Sequence, residues 1–127
     1  MSLLAPLLLA AAPAVASPPP EVASEIVVIG RKLETRWKGH LAKTDGQLVC
    51  KTKRSTGDTA IDAIGCGAML HCMLAIEDQM DALAADRTIS RRERRRQMNG
   101  LARSTEPCLH EYRDTGIARL AAARARS

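Results

Sequence analysis

The sequence contains almost no aromatic side chains: there is one Trp and one Tyr among 127 residues, and there is no Phe. Its core must therefore be built from aliphatic side chains, which bury less area per residue than aromatic rings. The scarcity also removes the aromatic platforms on which single-stranded nucleic acids stack their bases. A chain of this length fits one domain with a modest core, which needs additional stabilisation.

Motifs that identify an enzyme are missing as well. The three histidines, His40, His71 and His110, have no Ser, Cys or carboxylate near them in a recognisable nucleophile motif. The Gly-Cys-Gly segment at 65–67 lacks the length and the lysine of a phosphate-binding loop. No Cys-x-x-Cys redox motif is present. These absences favour a non-enzymatic role.

The first 16 residues, MSLLAPLLLAAAPAVA, carry no charged side chain. Their apolar stretch Leu3–Ala12 is too short to span a membrane and suits the hydrophobic region of a signal peptide. Ala14-Val15-Ala16 then gives the small-x-small pattern of a cleavage site. The sequence predicts a signal peptide over residues 1–16, cleaved before Ser17, and a periplasmic or secreted protein of a bacterial envelope. The segment lacks the usual Lys or Arg, and the alternative is an uncleaved helical tail or anchor.

Four cysteines follow in the mature sequence: Cys50, Cys66, Cys72 and Cys108. In an oxidising compartment they predict two disulfides. If the helices around residue 88 fold back as an antiparallel hairpin, position 72 faces position 108. This geometry favours Cys50–Cys66 with Cys72–Cys108. The pairing of Cys66 with Cys108, which leaves Cys50 for Cys72, fits nearly as well.

The same region also offers ligands for a metal ion. His71, Cys72, Cys108 and His110 supply enough sulfur and nitrogen for tetrahedral zinc, and nearby methionines would suit Cu(I). However, the spacing matches no standard zinc pattern, and methionines at helical spacing usually fill a core. We therefore expect disulfides without a cofactor, and a periplasmic zinc or copper protein is the alternative.

The N-terminal part of the mature sequence favours β structure. Residues 17–24 are rich in proline and predict an extended linker. The β-branched run Glu25–Arg31 predicts a strand. Arg36–Lys43 and Leu48–Lys53 flank an Asp-Gly turn and predict a β hairpin. We expect residues 25–127 to form a single small disulfide-linked domain.

The C-terminal part predicts three helices. The first runs from an N-cap at Asp58 or Thr59 to about Ala85, although two glycines near its start weaken it. Its predicted apolar stripe comprises Cys66, Met69, Met73, Ile76, Met80 and Leu83. Ser90 begins the second helix, which ends near Arg103, and the third covers residues 106–123. The predicted fold class is α+β and helix-rich: an N-terminal β hairpin or small sheet, then a three-helix antiparallel arrangement stapled by disulfides.

Charges of opposite sign are separated along the chain. Residues 55–86 contain six acidic residues and no Lys or Arg, whereas residues 87–103 contain seven Arg and one Glu. One use of these arginines would be a face that binds an acidic surface or an envelope protein. The candidate anion-binding residues are Arg91, Arg92, Arg95 and Arg96. No aromatic residue interleaves with them, which disfavours nucleic acid as the partner.

Ion pairing within the protein is the use of these arginines that the adjoining acidic and basic blocks favour. In an antiparallel hairpin, Asp81 would face Arg95 or Arg96, and Glu77 and Asp78 would reach the next turn. The arginines would then fix which helix packs on which.

Overall fold

A computed structural model of the chain describes residues 17–126. This part contains five helices and one two-stranded antiparallel sheet. In chain order the elements are α1 (Pro20–Arg36), β1 (Lys38–Thr44), β2 (Gln47–Arg54), α2 (Thr59–Leu74), α3 (Glu77–Ala85), α4 (Arg91–Ser104) and α5 (Glu106–Ala125). The predicted helix-rich α+β class is confirmed. The predicted signal peptide lies outside the described residues.

Helix α1 occupies the segment predicted to hold the linker and the first strand. It begins at Pro20, whose fixed φ suits a first helical turn, so the extended stretch is limited to residues 17–19. Its core-facing side chains recur at intervals of three and four residues: Val22, Ile26, Ile29 and Leu33. The strand predicted at Glu25–Arg31 was wrong, because this longer helical stripe packs on α5 and the gain from burial outweighs local β propensity.

Strands β1 and β2 form the predicted hairpin. Asp45 and Gly46 have φ of 52° and 77°, the positive values that a two-residue type I′ turn requires at both positions. The register places Leu41 opposite Cys50. The hairpin packs on α2 and so brings Cys50 close to that helix.

Trp37 lies at the centre of the core, between the hairpin and α2. Its ring lies directly on the backbone of Gly65, and its Nε1 donates a hydrogen bond to Thr52 Oγ1 at 3.1 Å. The other buried core residues are aliphatic: Ile29, Leu33, Ile61, Ile64, Ile117 and Ala121. Helix α2 continues unbroken through Gly65 and Gly67. Position 65 is therefore occupied by glycine because the Trp37 ring leaves no room for a Cβ, and not because the helix breaks there.

The helix predicted over residues 59–85 is two helices, α2 and α3, bent by 62° at their junction. The helix is interrupted at Ile76, where φ is −115° and ψ is 8°, and neither Gly nor Pro marks the position. The buried face of α2 also differs from the predicted stripe, since it comprises Ile61, Ile64, Gly65, Ala68 and Cys72. Within residues 17–126 no single helix is long and apolar enough to cross a membrane, and only the bent α2–α3 pair meets those criteria.

Helices α3 and α4 form a hairpin, residues 77–104, that we call the arm. Leu83 is the single buried hydrophobic side chain of the arm, and α4 has no buried residue. Arg94 joins the two helices: its Nε donates to Leu83 O at 3.2 Å, and its Nη2 donates to Asp86 O. These bonds satisfy carbonyls at the C-terminal end of α3. The arm thus has little core of its own and depends on its attachment to the rest of the domain.

A substitution at Gly65 tests the close packing of Trp37. A Cβ at this position would lie 2.6 Å from Trp37 ring carbons, so Gly65→Ala is expected to lower the free energy of unfolding by about 1–3 kcal/mol. Gly100→Ala in α4 is the matched control, because nothing lies within 4 Å of its added Cβ and alanine favours a helix by about 1 kcal/mol. Urea unfolding measures both variants. Stabilisation by both substitutions would contradict the packing described here.

Candidate functional site

Two disulfides connect the elements of the domain. Cys50 of β2 is bonded to Cys66 of α2, and Cys72 of α2 is bonded to Cys108 of α5. This is the pairing that the sequence favoured, and no cysteine in the described residues is free. The first bridge holds the β hairpin on α2. The second closes the base of the arm, since α3 and α4 lie between its two cysteines.

The candidate metal ligands are only partly brought together. Cys72 and Cys108 share a disulfide, so neither sulfur is a free thiolate. His71 and Cys108 line one groove, and the His71 ring lies 5.3 Å from the ring of Tyr112. His110 is exposed and does not line this groove. Within residues 17–126 no group of three or more His, Cys, Asp or Glu side chains is placed to hold a metal ion.

Five exposed arginines follow one side of α4. With 100° of rotation per residue, they fall within an arc of about 140°, and Arg94 and Leu101 lie on the opposite side of the helix. We call this set the arginine face: Arg91, Arg92, Arg95, Arg96 and Arg103. It extends for about 18 Å along the helix, because each residue adds about 1.5 Å. The predicted anion-binding residues therefore share one solvent-facing surface.

The ion pairs expected between α3 and this surface do not form. Asp81 and Glu77 bind Lys43 of β1 instead, with the Lys43 Nζ at 2.8 Å from Asp81 Oδ1 and 3.4 Å from Glu77 Oε1. The hydrogen bond to Asp81 raises the pKa of Lys43 above its ordinary value, and Glu77 adds to the effect. These contacts attach the arm to the β hairpin. Glu77 and Asp81 thus hold the arm in place and do not neutralise the arginines, and Asp78 forms no ion pair within the described residues.

Within the described residues, one member of the arginine face has an ion-pair partner. Arg96 lies 2.8 Å from Glu93 of the same helix, and its side chain is still 76% exposed. The backbone N–H of Glu93 also donates a hydrogen bond to the Oγ of Ser90, the predicted N-cap of α4, at 3.1 Å. Most of the positive charge on this surface is therefore available to a partner.

The antiparallel helices α2 and α5 form a second surface feature, a groove of about 480 Å³. The Cys72–Cys108 bridge joins the two helices at one end. At the other end Arg124 of α5 forms an ion pair with Asp58, the N-cap of α2. No motif in the sequence predicts this groove, although Gly67 and Gly116 lie where the facing side chains come closest.

Asp58 combines two roles at the end of this helix pair. Its Oδ1 accepts hydrogen bonds from the backbone N–H groups of Ala60 and Ile61, at 3.1 and 3.4 Å. Partial burial would raise the pKa of Asp58, but the hydrogen bond from Arg124 and the bonds from the backbone outweigh it. The net result is a pKa below the ordinary 3.8. The ionised carboxylate thus stabilises the folded state.

The two roles of Asp58 can be separated by substitution. Asp58→Ala is expected to lower the free energy of unfolding by about 1–2 kcal/mol, whereas Asp58→Asn keeps the cap and loses the charge. Because the folded pKa is lowered, the charge stabilises above about pH 4, and this contribution is lost as the pH falls through the folded pKa. The difference between the wild type and Asp58→Asn should therefore disappear in acid. Urea unfolding at pH 6 and at pH 2.5 measures it, and an unchanged difference would contradict the assignment.

No protein-family model, no curated protein and no solved structure matches this chain. The case for a function therefore depends on its own residues and geometry.

Proposed function

We propose that the protein is a small exported, non-enzymatic binding module of the bacterial envelope that attaches to an anionic surface through the arginine face of α4. The observation that carries the proposal is the exposure of these arginines, whose expected acidic partners bind Lys43 instead. The two disulfides support export, because such bonds persist in oxidising compartments.

The chemistry of the surface favours phosphate groups as the ligand. Guanidinium groups bind phosphate through paired, charge-assisted hydrogen bonds, and several in one row can contact several phosphates together. The other residues in the same arc are Asn99 and Ala102, so the face has no large apolar side chain to insert into a membrane. Binding should therefore be electrostatic and sensitive to salt.

The arm also presents these arginines on a fixed support. Arg94 caps α3, Lys43 attaches α3 to the β hairpin, and the Cys72–Cys108 bridge closes the base. A rigid support lowers the cost of ordering the binding surface when the ligand arrives.

Co-sedimentation with lipid vesicles tests the proposal. We expect the oxidised protein to bind vesicles that contain phosphatidylglycerol and not to bind vesicles made only of phosphatidylcholine. Raising the salt from about 0.05 M to about 0.5 M should release it, because screening weakens exposed charge pairs. An acidic protein surface would be the partner if an anionic polypeptide binds with this salt dependence and the vesicles do not. Failure to bind any anionic probe at low salt would overturn the proposal.

A further inference from the structure

The groove between α2 and α5 has the form of a binding site for a small molecule. Its volume of about 480 Å³ lies in the range typical of ligand pockets. Ile64 lies against Gly116, and both line the groove, as do His71 and Tyr112, whose rings are tilted by 33° with centroids 5.3 Å apart. Tyr112 is 37% exposed, so part of its ring is open to a ligand.

Two glycines keep the groove in this shape. A Cβ at Gly67 would lie 2.7 Å from the Tyr112 hydroxyl oxygen, and a Cβ at Gly116 would lie 3.2 Å from Ile64. Together with the Cys72–Cys108 bridge at one end and the Asp58–Arg124 ion pair at the other, they fix the spacing of the two helices. The groove is therefore formed before a ligand binds, which reduces the cost of binding.

Opposite charges line the groove at two separate points. Glu111 and Arg119 both line it, and they are eight residues apart on α5, or about 12 Å along the helix axis. Both are exposed, and within the described residues neither has an ion-pair or hydrogen-bond partner of its own. Thr115 lines the groove between them. A fitting ligand therefore carries a cation and an anion about 12 Å apart.

We propose that this groove binds a short peptide with free amino and carboxyl ends. An extended chain of three or four residues spans about 10–14 Å, because each residue adds about 3.3–3.6 Å. Its ammonium group binds Glu111 and its carboxylate binds Arg119, while an apolar side chain packs on Ile64 and Tyr112. The site is independent of the arginine face, which lies on another helix.

Titration of the full oxidised protein with the tripeptide Ala-Phe-Ala tests the proposal. The ring proton signals of Tyr112 report on binding directly, because it is the single tyrosine of the chain. N-acetylation and C-amidation of the peptide should each weaken binding about 10-fold, since each removes one charge-assisted contact. Equal binding of the free and capped peptides, or no change in the Tyr112 signals, would overturn the proposal.

Charge variants show which residue of the groove binds each end of the peptide. Arg119→Gln should abolish the preference for a free carboxylate and leave the preference for a free amine, and Glu111→Gln should do the reverse. The matched controls are Arg31→Gln and Glu34→Gln on α1, which are exposed and do not line the groove, and which should change neither preference. Variants that retain both preferences would show that the peptide does not bind across these two residues.

Discussion

Replacing Cys72 and Cys108 together by alanine is expected to lower the free energy of unfolding by about 4 kcal/mol. The bridge joins residues 36 positions apart, and the loss of loop-closure entropy for such a loop corresponds to about 4 kcal/mol. The loss of stability should be greatest in the arm, because the arm has Leu83 as its single buried hydrophobic side chain and little else to hold it closed. Without the bridge, we expect residues 77–104 to open at a lower free energy than the remaining core.

The second disulfide supplies the control for this prediction. Replacing Cys50 and Cys66 by alanine should cost about 3 kcal/mol, since the bridge spans 16 positions, but it should leave the arm closed at its base. Urea unfolding measures the global effect, and amide hydrogen exchange in residues 77–104 measures the local one. If both double variants lose exchange protection in the arm to the same extent, the Cys72–Cys108 bridge does not specifically close the base of the arm.

The largest expected effect on binding comes from neutralising the arginine face. A variant with four of its arginines replaced by glutamine should bind anionic vesicles at least about 100-fold more weakly at low salt, because each basic residue near such a surface contributes about 1 kcal/mol. The four substitutions are Arg91→Gln, Arg92→Gln, Arg95→Gln and Arg96→Gln. Stability should change little, because all four side chains are exposed and glutamine has nearly the helix propensity of arginine.

A variant of equal net charge separates this surface from the charge of the whole molecule. Neutralising four exposed basic residues outside the arm also lowers the formal net charge from +5 to +1. The control substitutions are Arg31→Gln, Lys38→Gln, Lys51→Gln and Lys53→Gln. We expect this control to bind within a few-fold of the wild type. An equal loss in both variants would show that overall charge, not the arginine face, determines binding.

Features set by neighbouring residues could be predicted from the sequence. The Asp45-Gly46 turn fixed the hairpin, because few residue pairs accept positive φ at both positions. Asp58 and Ser90 marked two helix starts through their capping side chains. The favoured disulfide pairing also agrees with the structure, since antiparallel packing of the helices that carry Cys72 and Cys108 brings these residues together.

Features decided by tertiary packing could not be read in this way. The β-branched run at residues 26–29 is compatible with a strand, but Val27 and Val28 stay exposed, and burial of the helical stripe that contains Ile29 and Leu33 favours a helix packed on α5. The partner of Asp81 is Lys43, which is 38 residues away in the sequence. No local pattern reveals this contact, which leaves the arginines of α4 without Asp81 as an ion-pair partner. The groove likewise forms only when α2 and α5 pack side by side. No local pattern in the sequence therefore identifies Glu111 and Arg119 as lining residues.

Export and the two disulfides can be tested together by the intact mass of the protein from its native compartment, measured with and without reduction and alkylation. We expect a chain that starts at Ser17, is four hydrogens lighter than its reduced form because of its two disulfides, and takes up alkylating reagent only after reduction. A mass that retains residues 1–16, with four thiols alkylated before reduction, would contradict export and the disulfides together.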